Sequence, residues 1–149
     1  MRLILMRHGK SAYPGGVADH DRPLTERGLR SAALMGGWLR RNGWAPDVAL
    51  VSTALRAQQT WAGTGLTAAA RSLPELYHAD PDTMLRAARR TGAGCAMIVG
   101  HNPGMAALAG ELVDEPPGHS RFFTFPTCAT LVAEGGNALG FAVPRDLME

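Results

Sequence analysis

Two arginines and two histidines of the 149-residue chain stand where apolar runs end. Arg7 and His8 follow RLILM, Arg56 comes one short turn after DVALVS, and His101 follows CAMIVG, with Asn102 and Pro103 behind it. Two guanidinium groups and two imidazoles aimed at one place form a donor set for a dianionic phosphoryl group. Arginine offers a planar fork of donors that matches phosphate oxygens. Pro103 suits the first position of a helix, whose N-terminal N–H groups and dipole also favour an anion.

Two other readings of these residues fail on spacing. Gly9-Lys10-Ser11 has the look of the end of a P-loop, which requires G-x-x-x-x-G-K-[ST] so that backbone N–H groups can wrap a phosphate. The first glycine would fall on Ile4, and Leu5, Met6, Arg7 and His8 between are too bulky for such a loop. A metal site built from His8, His20, His101 and Asp21 would need HxxEH-like or HxH spacing, which the chain lacks. No metal and no cofactor is expected.

The elements that must carry the four residues follow from periodicity. Buried strands are expected at 2–6, 47–52 and 95–100, where apolar residues run without interruption. Residues 9–24, rich in Gly, Pro and Asp, read as a loop. A helix opens at the N-cap Thr25 and stops at Gly43; others are expected over 54–70, loosened by Gly63 and Gly65, over 81–92, and over 103–114. Two short strands, 129–134 and 140–144, join through Gly135-Gly136-Asn137, and the proline-rich segment 114–126 reads as a surface loop. Strands alternating with helices predict an α/β fold: a three-layer α/β/α sandwich with a mostly parallel central sheet, one domain over 1–149. In such sheets ligands bind outside the carboxyl ends of the strands. Those are the ends where Arg7, His8, Arg56 and His101 stand.

Composition narrows the partners. The chain is 46% hydrophobic and 19% charged, ordinary for a globular protein, and its net charge of +2 gives no indication of nucleic acid. No run of eighteen apolar residues is present, and LILM is too short for a signal-peptide core, so neither a membrane span nor a leader is expected. Cys95 and Cys128 form neither a disulfide framework nor a metal pattern, which suits free thiols in a cytoplasmic protein.

Taken together, LMRHGKS, VSTALRAQQT and IVGHNPG resemble the histidine phosphatase, or phosphoglycerate mutase-like, superfamily. RPLTERG (22–28) and LPEL (73–76) are similar to its short bacterial SixA-type phosphohistidine phosphatase branch. The resemblance spans residues 2 to about 110, and its specificity lies in the order: an RHG string, then S-x-x-x-R-A-x-Q-T, then a strand-terminal H-N-P. It implies that His8 attacks phosphorus to form a phosphohistidine intermediate and that Arg7, Arg56 and His101 hold the phosphoryl oxygens. Ser11 and Asn102 join them as candidate phosphate ligands. The chemistry agrees, since a neutral imidazole, with a reference pKa of about 6.5, is a competent nucleophile near pH 7. Neighbouring arginines lower that pKa and stabilise the transferring group's charge.

The chain also departs from the family pattern. Ala12-Tyr13-Pro14-Gly15 replaces the asparagine many relatives carry after the RHG-x-S string, and Asn102 stands where mutase-like members have glycine. Only 44 residues separate Arg56 from His101, which leaves little room for a cap subdomain. For a general acid, Glu75 in LPEL occupies the mutase-like position and reads equally well as a loop carboxylate; Asp19, His20 and Asp21 are weaker candidates. The expected function is a metal-independent phosphatase acting on phosphohistidine in a protein. The alternatives are the same chemistry on small phosphate esters or on phosphoserine or phosphothreonine, and a catalytically silent phosphate-binding domain.

Overall fold

Strand β1 (Arg2–Arg7) lies inside a six-stranded sheet, parallel to β4 (Cys95–Gly100) on one side and antiparallel to β5 (Thr130–Glu134) on the other. Beyond β4 come β2 (Val48–Ser52) and β3 (Ala69–Leu73), both parallel. Beyond β5 comes its hairpin partner β6 (Asn137–Ala142), giving the order β3-β2-β4-β1-β5-β6. The computed structural model describes residues 1–148.

The central strands are apolar throughout because both faces of the sheet are covered. Leu3, Leu5, Leu50 and Ile98 join a core with α3 (Pro81–Arg90) and α4 (Gly104–Leu112). Ile4, Met6, Val51 and Val99 join the opposite core, with α1 (Glu26–Arg41) and the shorter α2 (Leu55–Gly63). This is the expected sandwich. The segment between Arg56 and His101 is used up by α2, β3, α3 and β4, so no cap subdomain is inserted there. Thr25 caps α1 as expected, its hydroxyl accepting from the Gly28 N–H at 3.1 Å. Gly28 lets α1 press onto the opening loop, since a Cβ there would collide with the Lys10 backbone.

Register places the chemistry. Arg7 lies opposite Gly100, so His8 and His101, one residue beyond each strand, emerge side by side. The His8 N–H donates to the Gly100 carbonyl at 3.0 Å.

Three regions differ from the sequence expectation by more than a residue or two at element ends. The helix expected over 54–70 ends at Gly63, Gly65 adopts a left-handed φ of 70°, and β3 follows. β3 is an edge strand whose residues 69–72 are exposed, so it lacks apolar alternation, and its alanines read as helix. The final hairpin turns on Gly135 and Gly136, both at positive φ as a two-residue hairpin turn requires; β6 therefore begins at Asn137 and ends at Ala142, not 140–144. The segment 114–126 is irregular but is no mere surface loop, because Phe122 and Phe125 are buried in the core beside α4. Its chemical neighbours hid this: three prolines, Gly118 and polar residues surround the phenylalanines. Cys95 and Cys128 are free thiols.

Candidate active site

A cavity of about 200 Å³ opens at the carboxyl ends of β1, β2 and β4. Arg7, His8, Ser11, Arg56, His101 and Asn102 all line it. The two histidine rings face each other, centroids 5.2 Å apart.

The tautomer of His8 is set by the backbone. Its Nδ1 lies 2.8 Å from the Gly9 carbonyl oxygen, which can only accept, so Nδ1 carries the proton and Nε2 keeps its lone pair. His101 is set by Ser52 at the end of β2. Its Nε2 lies 2.8 Å from the buried Ser52 hydroxyl, whose oxygen already accepts from the Ala54 N–H. Among the described residues Nε2 is the one acceptor bonded to the buried hydroxyl's own proton, so the hydroxyl donates to Nε2 and the neutral ring carries its proton on Nδ1, which is buried without a partner.

Both rings are held neutral. Burial, reinforced by Arg7, Arg56 and Arg22, lowers the His8 pKa to about 4, against a raising contribution from the Gly9 carbonyl. Burial, then His8 and Arg56, lowers that of His101 to about 3. In the unfolded chain each ring takes up its proton near pH 6.5. Between those values the unfolded state binds more protons, so stability is full above about pH 6.5 and is lost as pH falls toward about 4. Urea unfolding checks this: the midpoint is lower near pH 5 than near pH 7, and an unchanged midpoint contradicts neutral buried rings.

Arg56 is 2% exposed, and its guanidinium donates to the Asp19 carbonyl at 2.7 Å and to Asp19 Oδ2 at 3.1 Å. Arg7 touches only the Phe125 carbonyl, at 3.4 Å, and the Nε atoms of both arginines are buried and unpartnered. Three orphaned donors thus belong to three residues around one cavity, a costly arrangement unless an acceptor arrives.

The remaining candidates divide between residues that line the cavity, Ser11, Asn102 and Asp19, and residues that do not, Glu75, His20 and Asp21. The Asn102 side-chain amide donates to the Thr124 and Phe125 carbonyls at 3.1 and 3.0 Å, while its oxygen accepts from the Ala106 N–H. It clamps the 114–126 segment against α4, and both of its side-chain donor contacts are to that segment. Ser11 accepts from Arg22 at 2.8 Å. Glu75 does not line the cavity: it is exposed on a short 3-10 turn, Pro74–Leu76, which turns Leu76 inward. His20 bonds Thr53 at 2.9 Å, and neither it nor Asp21 lines the cavity. Asp19 does, as the only carboxylate among the described lining residues. A hydrogen bond from the Tyr77 hydroxyl, with those from Arg56 and Arg22, holds it well below the usual carboxylate range, so it is ionised.

Arg22 and His78 complete the wall and carried no assigned role in the sequence reading. Arg22 stood inside RPLTERG, which could have flagged it; nothing local marked His78, brought in by a left-handed residue at φ 55°.

Comparison with known proteins gives the family and fold. A sequence model described as the histidine phosphatase superfamily (branch 1) matches residues 3–80. An uncharacterized protein of Mycobacterium tuberculosis is 54% identical over 106 residues, 70% of this chain and 67% of that protein. The phosphohistidine phosphatase SixA of Escherichia coli is 31% identical over 92% of this chain and 89% of its own. A crystal structure of SixA from Agrobacterium tumefaciens superposes with a TM-score of 0.83 at 30% identity, covering 96% of this chain and 98% of that one.

Proposed function

Because the chain belongs to the histidine phosphatase superfamily, we propose that it removes phosphate from phosphohistidine in a protein, by way of a phosphohistidine on His8. The His8 Nε2 lone pair attacks phosphorus, and the phosphorus–nitrogen bond of the substrate breaks. The substrate imidazole, already protonated on its other nitrogen, departs as neutral imidazole. Water then attacks the phosphoryl group on His8. The His8 ring leaves in the same neutral form, because Nδ1 has kept its proton on the Gly9 carbonyl. Arg7, Arg56 and the Nδ1 proton of His101 hold the phosphoryl oxygens through both steps.

One observation carries the choice of substrate. An alkoxide leaving group needs a placed acid, and the only carboxylate among the described lining residues, Asp19, is held ionised by Tyr77, Arg56 and Arg22. The site fits a leaving group that brings its own proton. The purified protein, assayed with a phosphohistidine-bearing carrier protein and with the alkyl esters phosphoserine and phosphothreonine, is expected to favour phosphohistidine in kcat/KM by at least about 100-fold, the lower end of what a missing acid costs. Faster turnover of either ester overturns the reading.

Glu75→Gln checks the corrected position of that residue. An exposed carboxylate outside the cavity supplies no proton, so the substitution changes kcat/KM on either substrate class by less than about twofold, within the usual range of surface changes. A loss approaching the 10²–10⁴-fold expected of a general acid would return Glu75 to the mechanism.

A further inference from the structure

Beside the catalytic cavity lies a larger groove of about 1060 Å³. Thr127 lines both, so the two lie side by side. One wall is a face of α1, running from Arg27 through Arg30 and Leu34 to Arg41, about 21 Å at 1.5 Å per residue. The other is the tail after β6, with Val143, Pro144, Arg145 and Met148.

Every charged residue described in its lining is an arginine: Arg27, Arg30, Arg40, Arg41, Arg121 and Arg145. These are six of the fourteen arginines in a chain whose net charge is only +2. All six are exposed. Among the described residues, the ion pairs include just one of them, Arg30, 3.9 Å from Glu26. Asp146, next to Arg145, is engaged by His119 and by the Val143 N–H instead.

We infer that this groove docks the acidic surface beside the phosphohistidine of a protein substrate, an inference that rests on the phosphohistidine reading above. Three features favour a protein occupant. Ala33, Leu34, Pro126, Val143, Pro144 and Met148 give the groove apolar surface between the arginines, the mixture found at protein interfaces. None of the described lining residues is aromatic, so bases of a single strand find no stacking platform. Its place beside the cavity, with Thr127 in both linings, lets one partner reach both, with its phosphoryl group at His8 and its carboxylates over the arginines.

The double substitution Arg30→Glu with Arg145→Glu tests this, one change on each wall and both away from the catalytic cavity. The probes are an acidic phosphohistidine-bearing carrier protein and free phosphohistidine. The variant is expected to lose at least about tenfold in kcat/KM on the phosphoprotein, mainly in KM, while turning over free phosphohistidine as the wild type does. Raising salt from about 50 to about 300 mM is expected to slow the wild type on the phosphoprotein alone and to leave the variant flat. The uncharged pair Arg30→Gln with Arg145→Gln falls between. Equal rates for variant and wild type on the phosphoprotein overturn the docking proposal and leave the reaction intact. Wild-type turnover of neither phosphohistidine substrate overturns the reading of the reaction, and docking with it. Tight binding of single-stranded RNA or of phosphatidylserine vesicles at about 150 mM salt, abolished in the variant while phosphoprotein turnover is unchanged, assigns the groove to that ligand instead.

Discussion

His8→Ala abolishes phosphohistidine turnover, with a loss of about 10⁴-fold or more, the scale on which removal of a nucleophile acts. Phosphate binding survives. The Arg7 and Arg56 guanidinium groups and the His101 Nδ1 proton are untouched by the change, and His8 is 7% exposed, so its loss leaves a small void near the rim. The affinity for inorganic phosphate or vanadate, read by calorimetry, therefore shifts by no more than about tenfold, the equivalent of about 1.4 kcal/mol. A variant that loses turnover and phosphate binding together points to a collapsed site. One that keeps turnover removes His8 from the reaction.

Arg56→Ala carries the next largest effect. The guanidinium is buried, and Asp19 fixes its orientation through two contacts. The phosphoryl charge it meets spreads over the transferring oxygens, and a preorganised donor removed from such a site costs about 10²–10³-fold in kcat. Arg56→Lys is expected to recover little, because an ammonium supplies one point of charge and cannot bond Asp19 and a phosphate in the geometry of the planar fork. Thermal unfolding accompanies the rate measurement. A rate loss in the lysine variant with an unchanged melting temperature separates catalysis from folding, and full rescue by lysine contradicts the fork.

What the sequence showed and what it hid have physical reasons. The strands carrying Arg7, His8, Ser52 and His101 were legible because burial on both faces leaves a continuous apolar run that ends abruptly in polar residues. β3 was not, since an exposed edge strand buries nothing periodic. Arg7, His8, Arg56 and His101 were legible as a set because each follows a strand end, so the topology alone converges them. Asp19, Arg22 and His78 come from the opening loop and from the turn before α3, whose paths no periodicity dictates. Asn102 stands at the expected rim, and its side-chain amide also has a structural task the sequence did not show. Its neighbours Thr124 and Phe125 belong to an irregular segment whose buried phenylalanines were disguised by prolines and glycine. Glu75 was considered for its place in LPEL, and sequence position alone cannot say which side of a short turn a residue takes.

The covalent step is tested most directly by rapid quench of the wild-type protein with a phosphohistidine substrate, followed by mapping of the trapped phosphate. The account predicts an acid-labile, base-stable phosphoryl group on His8, formed before phosphate is released and missing from His8→Ala. Burst formation of free phosphate with no protein-bound phosphoryl group, or a phosphoryl group mapped to any residue other than His8, contradicts it.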